Sequence, residues 1–265
     1  MTTLGVIFSP DHPPEQLRTV ALAADDAGLE QLWLWEDCFY ESGVAAAAAV
    51  LGWTSRLRVC IGLLPIPLRN VALTAMEIAT IERLFPGRFV PGIGHGVTDW
   101  MGQVGARVES PMTLLREYTE ALRALLHAET VTTSGRYVQL DGIALDWPPA
   151  NPPPLLVGAI KPKTLEVGTA FGDGVIMTAS STPDDVRAAA GPLAAGRAKS
   201  GRPATEIVVF VTVVDRMSPG EVAARVSEYA DAGATTVALH AVGDDPHPLE
   251  DFVRFVATDV RAAIS

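Results

Sequence analysis

Reactive side chains gather most densely in FVPGIGHGVTDW, residues 89–100. Gly92, Gly94 and Gly96 alternate at the end of an apolar run, His95 sits between two of them, and Asp99 and Trp100 follow. Alternating glycines let a flat ligand approach the backbone, or let a strand leave its sheet tightly. The pattern is GxGxG, not GxGxxG. Residues 112–126, where an acidic residue would have to close a second strand, read as the helix MTLLREYTEALRALL, which argues against a dinucleotide fold. His95 suits a proton shuttle or a ligand-facing donor because imidazole titrates near neutrality; a hydrogen-bonded structural histidine is the alternative.

Three further segments carry chemistry. Glu36 and Asp37 end another apolar run; one is placed to brace the following turn, the other to accept a bond from a cofactor ring or hold a proton. VGAIKPKTLEVG, 157–168, puts Pro162 in a first helical turn, with Lys161, Lys163, Thr164 and free backbone N–H groups around it. That is an anion site, suited to a phosphate or phosphodiester. IGLLPIPLRN, 61–70, carries two prolines that impose a rigid, extended exit, with Leu63 and Leu64 against whatever lies beside it. The five histidines are scattered and no HExxH occurs, so no metal site is expected.

These segments must be positioned by short apolar runs alternating with helical patterns. The runs are LGVIFS (4–9), QLWLWE (31–36), LRVCIG (57–62), RFVPGI (88–93), PLLVGA (154–159), DGVIMT (173–178), EIVVFVTVV (206–214) and TTVALH (235–240). Their continuous apolar character suits parallel strands covered by helices. Helices are expected over 14–27, ending at Gly28, and over 111–127, with Ser110 as cap and Pro111 in the first turn. Thr182–Pro183 and the capping box Ser218–Pro219–Gly220–Glu221 start two more. Eight strand–helix units predict an α/β fold, the (β/α)8 TIM barrel, as a single domain over 1–265. Residues 129–154 form an insertion, with a small hairpin, before strand five. A barrel gathers its reactive groups beyond the C-terminal strand ends. The candidates there are Ser9, Glu36, Asp37, Cys38, Gly62–Pro65, Gly94–Trp100, Gly158–Thr164, Thr178–Ser181, Asp215 and His240.

The chain is 48% hydrophobic and 19% charged, with a formal net charge of -11 and no Lys/Arg stripe, which argues against a nucleic-acid partner. Cys38 and Cys60 lie near the ends of two predicted strands, form no CxxC, and read as free thiols. With no signal segment at the start and no apolar run near the roughly 20 residues that span a bilayer, a cytoplasmic protein without a membrane partner is expected. Alanine-rich helices permit a homodimer.

The segments AGLEQLWLWED, RLRVCIGLLPIPLRNVALTAMEIATIERLFPGRFVPGIGHG, LLREYTEALRALL and PPLLVGAIKPKTLEVGTAFGDGVIM, in this order, resemble the luciferase-like flavin and deazaflavin oxidoreductases, particularly their coenzyme F420-dependent branch. The resemblance implies the same barrel. It also implies a non-proline cis peptide at Gly62–Leu63, in a bulge that supports the back of the cofactor ring. Gly94, His95 and Gly96 would lie by the ring, Asp37 near its edge, and Gly158, Ala159, Ile160 and Lys161 near the phosphate. In sugar-phosphate-oxidising members a histidine base stands where this chain has Cys38, and a glutamate where it has Val97, so that activity is not expected. The implied function is hydride transfer between F420 and a small organic substrate, with His95 or Asp37 assisting proton transfer. The alternatives are an FMN-dependent monooxygenase and a catalytically inactive cofactor-binding barrel.

Overall fold

Each apolar run satisfies its backbone against two parallel neighbours, and the last such strand closes on the first. The computed structural model describes residues 2–200 and 205–264. Its strands β1 (Thr3–Phe8), β2 (Gln31–Leu34), β3 (Arg58–Pro65), β4 (Phe89–Gly94), β7 (Leu156–Gly158), β8 (Gly174–Met177), β9 (Glu206–Val214) and β10 (Thr236–Val242) form a closed barrel in the order β1-β10-β9-β8-β7-β4-β3-β2. The intervening β5 (Val131–Ser134) and β6 (Gln139–Ile143) pair as an antiparallel hairpin in the insertion before the fifth barrel strand, as expected.

Alternation along the strands separates two cores. Ile7, Trp33, Cys60, Val90, Leu156, Ile176, Val208, Phe210 and Ala238 fill the lumen, while strand residues such as Val6, Leu32, Ile61 and Ile93 pack outward among buried helix residues. Cys60 is thus a fully buried lumen residue in the middle of β3, not a strand-end thiol; both cysteines are free. Burial of the thiol pushes the proton affinity of Cys60 far up.

The helices start and stop where local chemistry dictates. Helix α1 (Leu17–Ala27) ends on Gly28 at φ 75°, a left-handed turn open to glycine. Helices α2 (Gly43–Trp53) and α3 (Val71–Leu84) follow β2 and β3. Short α4 (Thr98–Gln103) and then α5 (Pro111–Leu126) follow β4. Ser110 precedes α5 but its side chain does not cap it; the hydroxyl pairs with Thr113 Oγ1 at 2.7 Å, and its N–H donates to the Tyr137 hydroxyl. That bond, with the Glu117 carboxylate accepting from the N–H groups of Arg136, Tyr137 and Val138, fastens the inserted hairpin to α5. Helices α6 (Pro162–Ala170) and α7 (Pro183–Ser200) follow β7 and β8. Helix α8 (Pro219–Asp231) opens with the predicted box, Ser218 N–H donating to Glu221 at 2.8 Å. Helix α9 (Leu249–Phe255) leads into a single π turn and α10 (Arg261–Ile264). Among the described residues no helix is long and apolar enough to cross a membrane.

Candidate active site

Continuing the inward-facing positions toward the C-terminal strand ends gives a lopsided mouth. On one side stand Gly62, Gly94 and Gly158; on the other, two residues beyond Ile7, Trp33 and Ala238, stand Ser9, Trp35 and His240. A β-carbon on Gly62 would lie 2.6 Å from Phe210 and 3.1 Å from Trp33, so this glycine rests directly on the aromatic plug of the lumen.

The glycines do not leave open room for a ring, as their spacing suggested. A β-carbon on Gly94 would meet a Leu63 methyl at 2.6 Å, and one on Gly158 would clash with the same methyl. Gly92 is pressed by the Ile61 carbonyl and by Ile176, and Gly96, at φ 66°, by Pro65. The vacant side-chain positions are filled by the protein, chiefly by Leu63. Pairing of β3 with β4 shifts between Ile61 and Leu64, placing one extra residue in β3. The Gly62–Leu63 peptide in that bulge is cis, as the resemblance implied; a second cis bond, Cys38–Phe39, was not foreseen. Gly62 and Leu63 are half-buried at the mouth, whereas Leu64 is only 1% exposed and packs in the outer core, away from the mouth.

The same alternation sorts the two acids after β2. Glu36 points away from the lumen: its carboxylate accepts the Gly43 N–H at 2.7 Å and is gripped by Arg69 through both terminal guanidinium nitrogens. Glu36 is therefore the brace. Asp37 is half-buried; its carbonyl accepts the Tyr40 N–H at 3.0 Å, but its carboxylate makes no hydrogen bond among the described residues, and burial raises its proton affinity. Cys38, half-buried beside them, has its thiol pushed up by burial and then by repulsion from Glu36 and Asp37.

His95 is half-buried rather than free on a loop, its Nδ1 is sealed from solvent without a hydrogen-bond partner among the described residues, and burial favours the neutral ring. The predicted anion site is partly consumed by the fold. The Ala159 N–H donates to the Ile176 carbonyl, and Ala159 is 2% exposed. The buried Thr164 hydroxyl accepts the Lys161 N–H and donates to the Lys161 carbonyl, closing the first turn of α6. What remains is the exposed side chains of Lys161 and Lys163 and the Lys163 N–H, which lies too early in α6 for an intrahelical acceptor. Ile160 turns outward and, with Pro162, lines a groove of about 860 Å³ between α6 and α7.

Three side chains that the sequence reading passed over belong to the mouth. Asp11, His12 and Glu41 influence one another's charge across the exits of β1 and β2. His12 N–H donates to the Ser9 carbonyl at 3.1 Å and its ring lies 5.6 Å from Phe8. The exposed rings of Phe39 and Tyr40 stand on the same β2 exit.

With this geometry in view, three known proteins are informative. The 5,10-methylenetetrahydromethanopterin reductase of Methanolobus tindarius is 29% identical over 250 residues, covering 92% of this chain and 76% of that protein. The solved structure of an F420-dependent secondary alcohol dehydrogenase, in complex with an F420-acetone adduct, superposes with a TM-score of 0.87 at 18% identity, over 98% of this chain and 99% of the other. A monooxygenase from Streptomyces bottropensis superposes with a TM-score of 0.86, also at 18% identity and over 100% of each chain, so the barrel does not separate these chemistries. The model of the luciferase-like monooxygenase family matches residues 2–243, and the chain belongs to that family.

Proposed function

We propose that this protein is an oxidoreductase that transfers hydride between coenzyme F420 and a small organic substrate. The observation that carries the reading is the lopsided mouth. Leu63, held by Gly94 and Gly158, offers an apolar rest for a flat ring. His95 Nδ1 and Trp35 Nε1 are buried polar atoms without a partner among the described residues, which suits groups meant for a ligand. Lys161 and Lys163 flank the amide end of α6, where a phosphate is favoured. The residues present therefore fit a tricyclic ring with a phosphate-bearing tail.

When bound, F420 supplies a ring carbon that gives or takes hydride. The chain's own contribution is placement and exclusion of water. Leu63 backs the ring, His95 fixes its edge through Nδ1, and the two lysines hold the phosphate. Trp35 and Phe210, their rings 5.6 Å apart, floor the substrate side. Asp37, with its raised proton affinity, is suited to hold a proton near the ring edge. The F420-dependent dehydrogenase named above favours F420 over FMN as the ring.

The monooxygenase likeness supports a second reading, with FMN in the same mouth. Titrating the apo-protein with F420 and with FMN separates them. F420 binding without oxygen consumption supports the first reading, and oxygen uptake with reduced FMN supports the second. Failure to bind either at micromolar concentration rejects both.

Two coarser features complete the proposal. Helix α2 carries no charged residue, and Leu73, Met76 and Leu84 of the next helix are exposed, which favours a homodimer through this side. Light scattering that returned a single 28.0 kDa chain would reject the dimer. The two unpaired thiols favour the cytoplasm.

A further inference from the structure

We propose that His240 exchanges a proton with the substrate, that Asp11 positions it, and that the substrate is accordingly an alcohol or the corresponding carbonyl compound. This rests on the reading that the mouth holds F420.

His240 follows Ala238 by two residues on β10 and so projects into the mouth above the lumen core. Its ring stands edge-on to Trp35, with centroids 5.0 Å apart and planes at 70°. Trp35 packs on Phe210, and Phe210 stands edge-on to fully buried Trp33 at 5.5 Å. An aromatic column rooted in the barrel core thus fixes the imidazole. The residue is half-buried, and among the described residues neither ring nitrogen has a protein hydrogen-bond partner. A rigidly held histidine with free nitrogens at the open end of a barrel is placed for proton exchange with a ligand.

Strand β10 pairs with β1, Leu239 opposite Val6, which brings the β1 exit beside His240. The charged groups acting on His240 are Asp11 and His12 of that exit; burial lowers its proton affinity, Asp11 raises it, and His12 lowers it. Glu41, on the β2 exit, acts on Asp11 and His12. Burial would raise the Asp11 carboxyl, but the Ser9 hydroxyl and a backbone N–H, with smaller help from both histidines, hold it below its ordinary value. Asp11 is therefore an anion at neutral pH, able to steady a protonated His240.

Cys38 cannot fill this role, because burial and two neighbouring carboxylates keep its thiol protonated. In the oxidative direction the substrate's C–H bond breaks with its electron pair going to F420. The O–H proton passes to His240, and the carbon–oxygen double bond forms. The alcohol is oxidised and F420 reduced; the reverse reaction returns the proton from His240 to the oxygen. A substrate that exchanged hydride alone would not need this histidine.

The test is ring ¹⁵N NMR of His240 in the F420-loaded full chain, titrated with pH and then with acetone and 2-propanol as probes. Asp11→Asn should move the His240 titration to lower pH, Asp11→Glu should restore it, and both probes should shift its ring signals. A titration indifferent to Asp11→Asn, or signals indifferent to both probes, would overturn the proposal. His240→Gln should bind F420 within about twofold of the parent while turnover with 2-propanol falls about 100-fold or more; retained turnover also overturns it. F420 binding is followed separately by fluorescence, and the Asp11–His240 coupling is also read without cofactor. Loss of cofactor binding in the parent protein would therefore count against the functional reading and leave the coupling measurable.

Discussion

Arg69 binds both carboxylate oxygens of Glu36, with Nη2 at 2.9 Å from Oε2, while its Nε reaches Glu77 at 3.3 Å. Glu36 is 8% exposed and Arg69 14%, so the pair is largely desolvated. It ties the segment carrying Asp37 to the chain leaving the β3 bulge, so the ring-edge and ring-back halves of the site share one brace. Removing one partner of a buried pair leaves the other charge uncompensated, at a cost of about 3–5 kcal/mol. Arg69→Met should therefore lose several kcal/mol in urea unfolding and weaken F420 binding. Glu36→Gln keeps the shape and an acceptor for the Gly43 N–H, and should lose less. Equal stability of Arg69→Met and the parent would show that the brace is idle.

Leu63 and Gly94 make a second testable pair. A β-carbon at position 94 would sit 2.6 Å from a Leu63 methyl, so Gly94→Ala must push that side chain aside. Overpacking of this kind costs about 1–3 kcal/mol, and the displaced leucine should also raise the Kd for F420. Leu63→Ala in the Gly94→Ala background should recover much of the stability but not the affinity, because the platform is then gone. Gly92→Ala should be worse than Gly94→Ala, since it meets the Ile61 carbonyl, which cannot swing away. Thermal unfolding of the three variants and the parent measures the ordering.

How far the sequence disclosed this site follows from the physics of each part. The strands and helices were legible because apolar runs, proline starts and the Ser218–Glu221 box act locally. The placement of His95, Asp37 and the α6 lysines at strand exits followed from the barrel alone. What Gly94 and Gly158 accommodate was not legible, since Leu63 reaches both only after β3 bulges against β4. Nor was the choice between Glu36 and Asp37, because the partner that makes Glu36 a brace lies 33 residues away. Thr164 carried a usable hint: a hydroxyl three residues after a helix cap commonly closes the first turn. Asp11 and His12 gave little local signal; their relevance arises where β1 and β10 meet, far apart in the chain.

Two carboxylates should respond to pH with opposite signs. Burial raises the Asp37 carboxyl above its unfolded value near 3.9. Between that value and its raised folded value, the folded state holds more proton than the unfolded state, so rising pH lowers stability. Asp37→Asn removes this loss, so its stability relative to the parent should improve from pH 4 to pH 7. At Asp25, burial would raise the carboxyl, but bonds from the N–H groups of Ser55, Arg56 and Leu57 outweigh it, and the net shift is downward. Its contribution is present above the unfolded value and is lost as pH falls through the folded one. Asp25→Asn should therefore cost most at pH 7 and progressively less on acidification. Urea unfolding of the parent and both variants checks both signs, from pH 7 to pH 4 for Asp37 and on down to about pH 2 for Asp25; parallel curves would contradict them.

Lys161 and Lys163 are exposed, so an ion pair with a phosphate there is screened by salt. Lys161→Ala should weaken F420 by about tenfold at low salt, about 1.4 kcal/mol, with the difference shrinking as salt rises. A deazaflavin analogue lacking the phosphate should bind the parent and the variant alike. Equal losses for both ligands would show that Lys161 supports the loop and not the anion.

His95 has a ring nitrogen that is closed to solvent and unsatisfied among the described residues. A buried group in that state costs about 1–3 kcal/mol relative to a bonded one, so a ligand that bonds it gains a corresponding advantage. His95→Leu removes the polar atom while keeping bulk. It should leave the fold as stable as the parent or more so, yet bind F420 more weakly by about tenfold or more. His95→Asn, whose amide can occupy the region of Nδ1, should recover part of that affinity. Burial keeps the parent ring neutral near pH 7, so its F420 affinity should be flat across neutrality and change only toward acid, where the ring gains a proton. The three proteins, titrated with F420 by fluorescence between pH 5 and pH 8, distinguish this from a structural role. If His95→Leu binds F420 as tightly as the parent, Nδ1 does not face the cofactor, and the ring edge must be fixed from the Trp35 side.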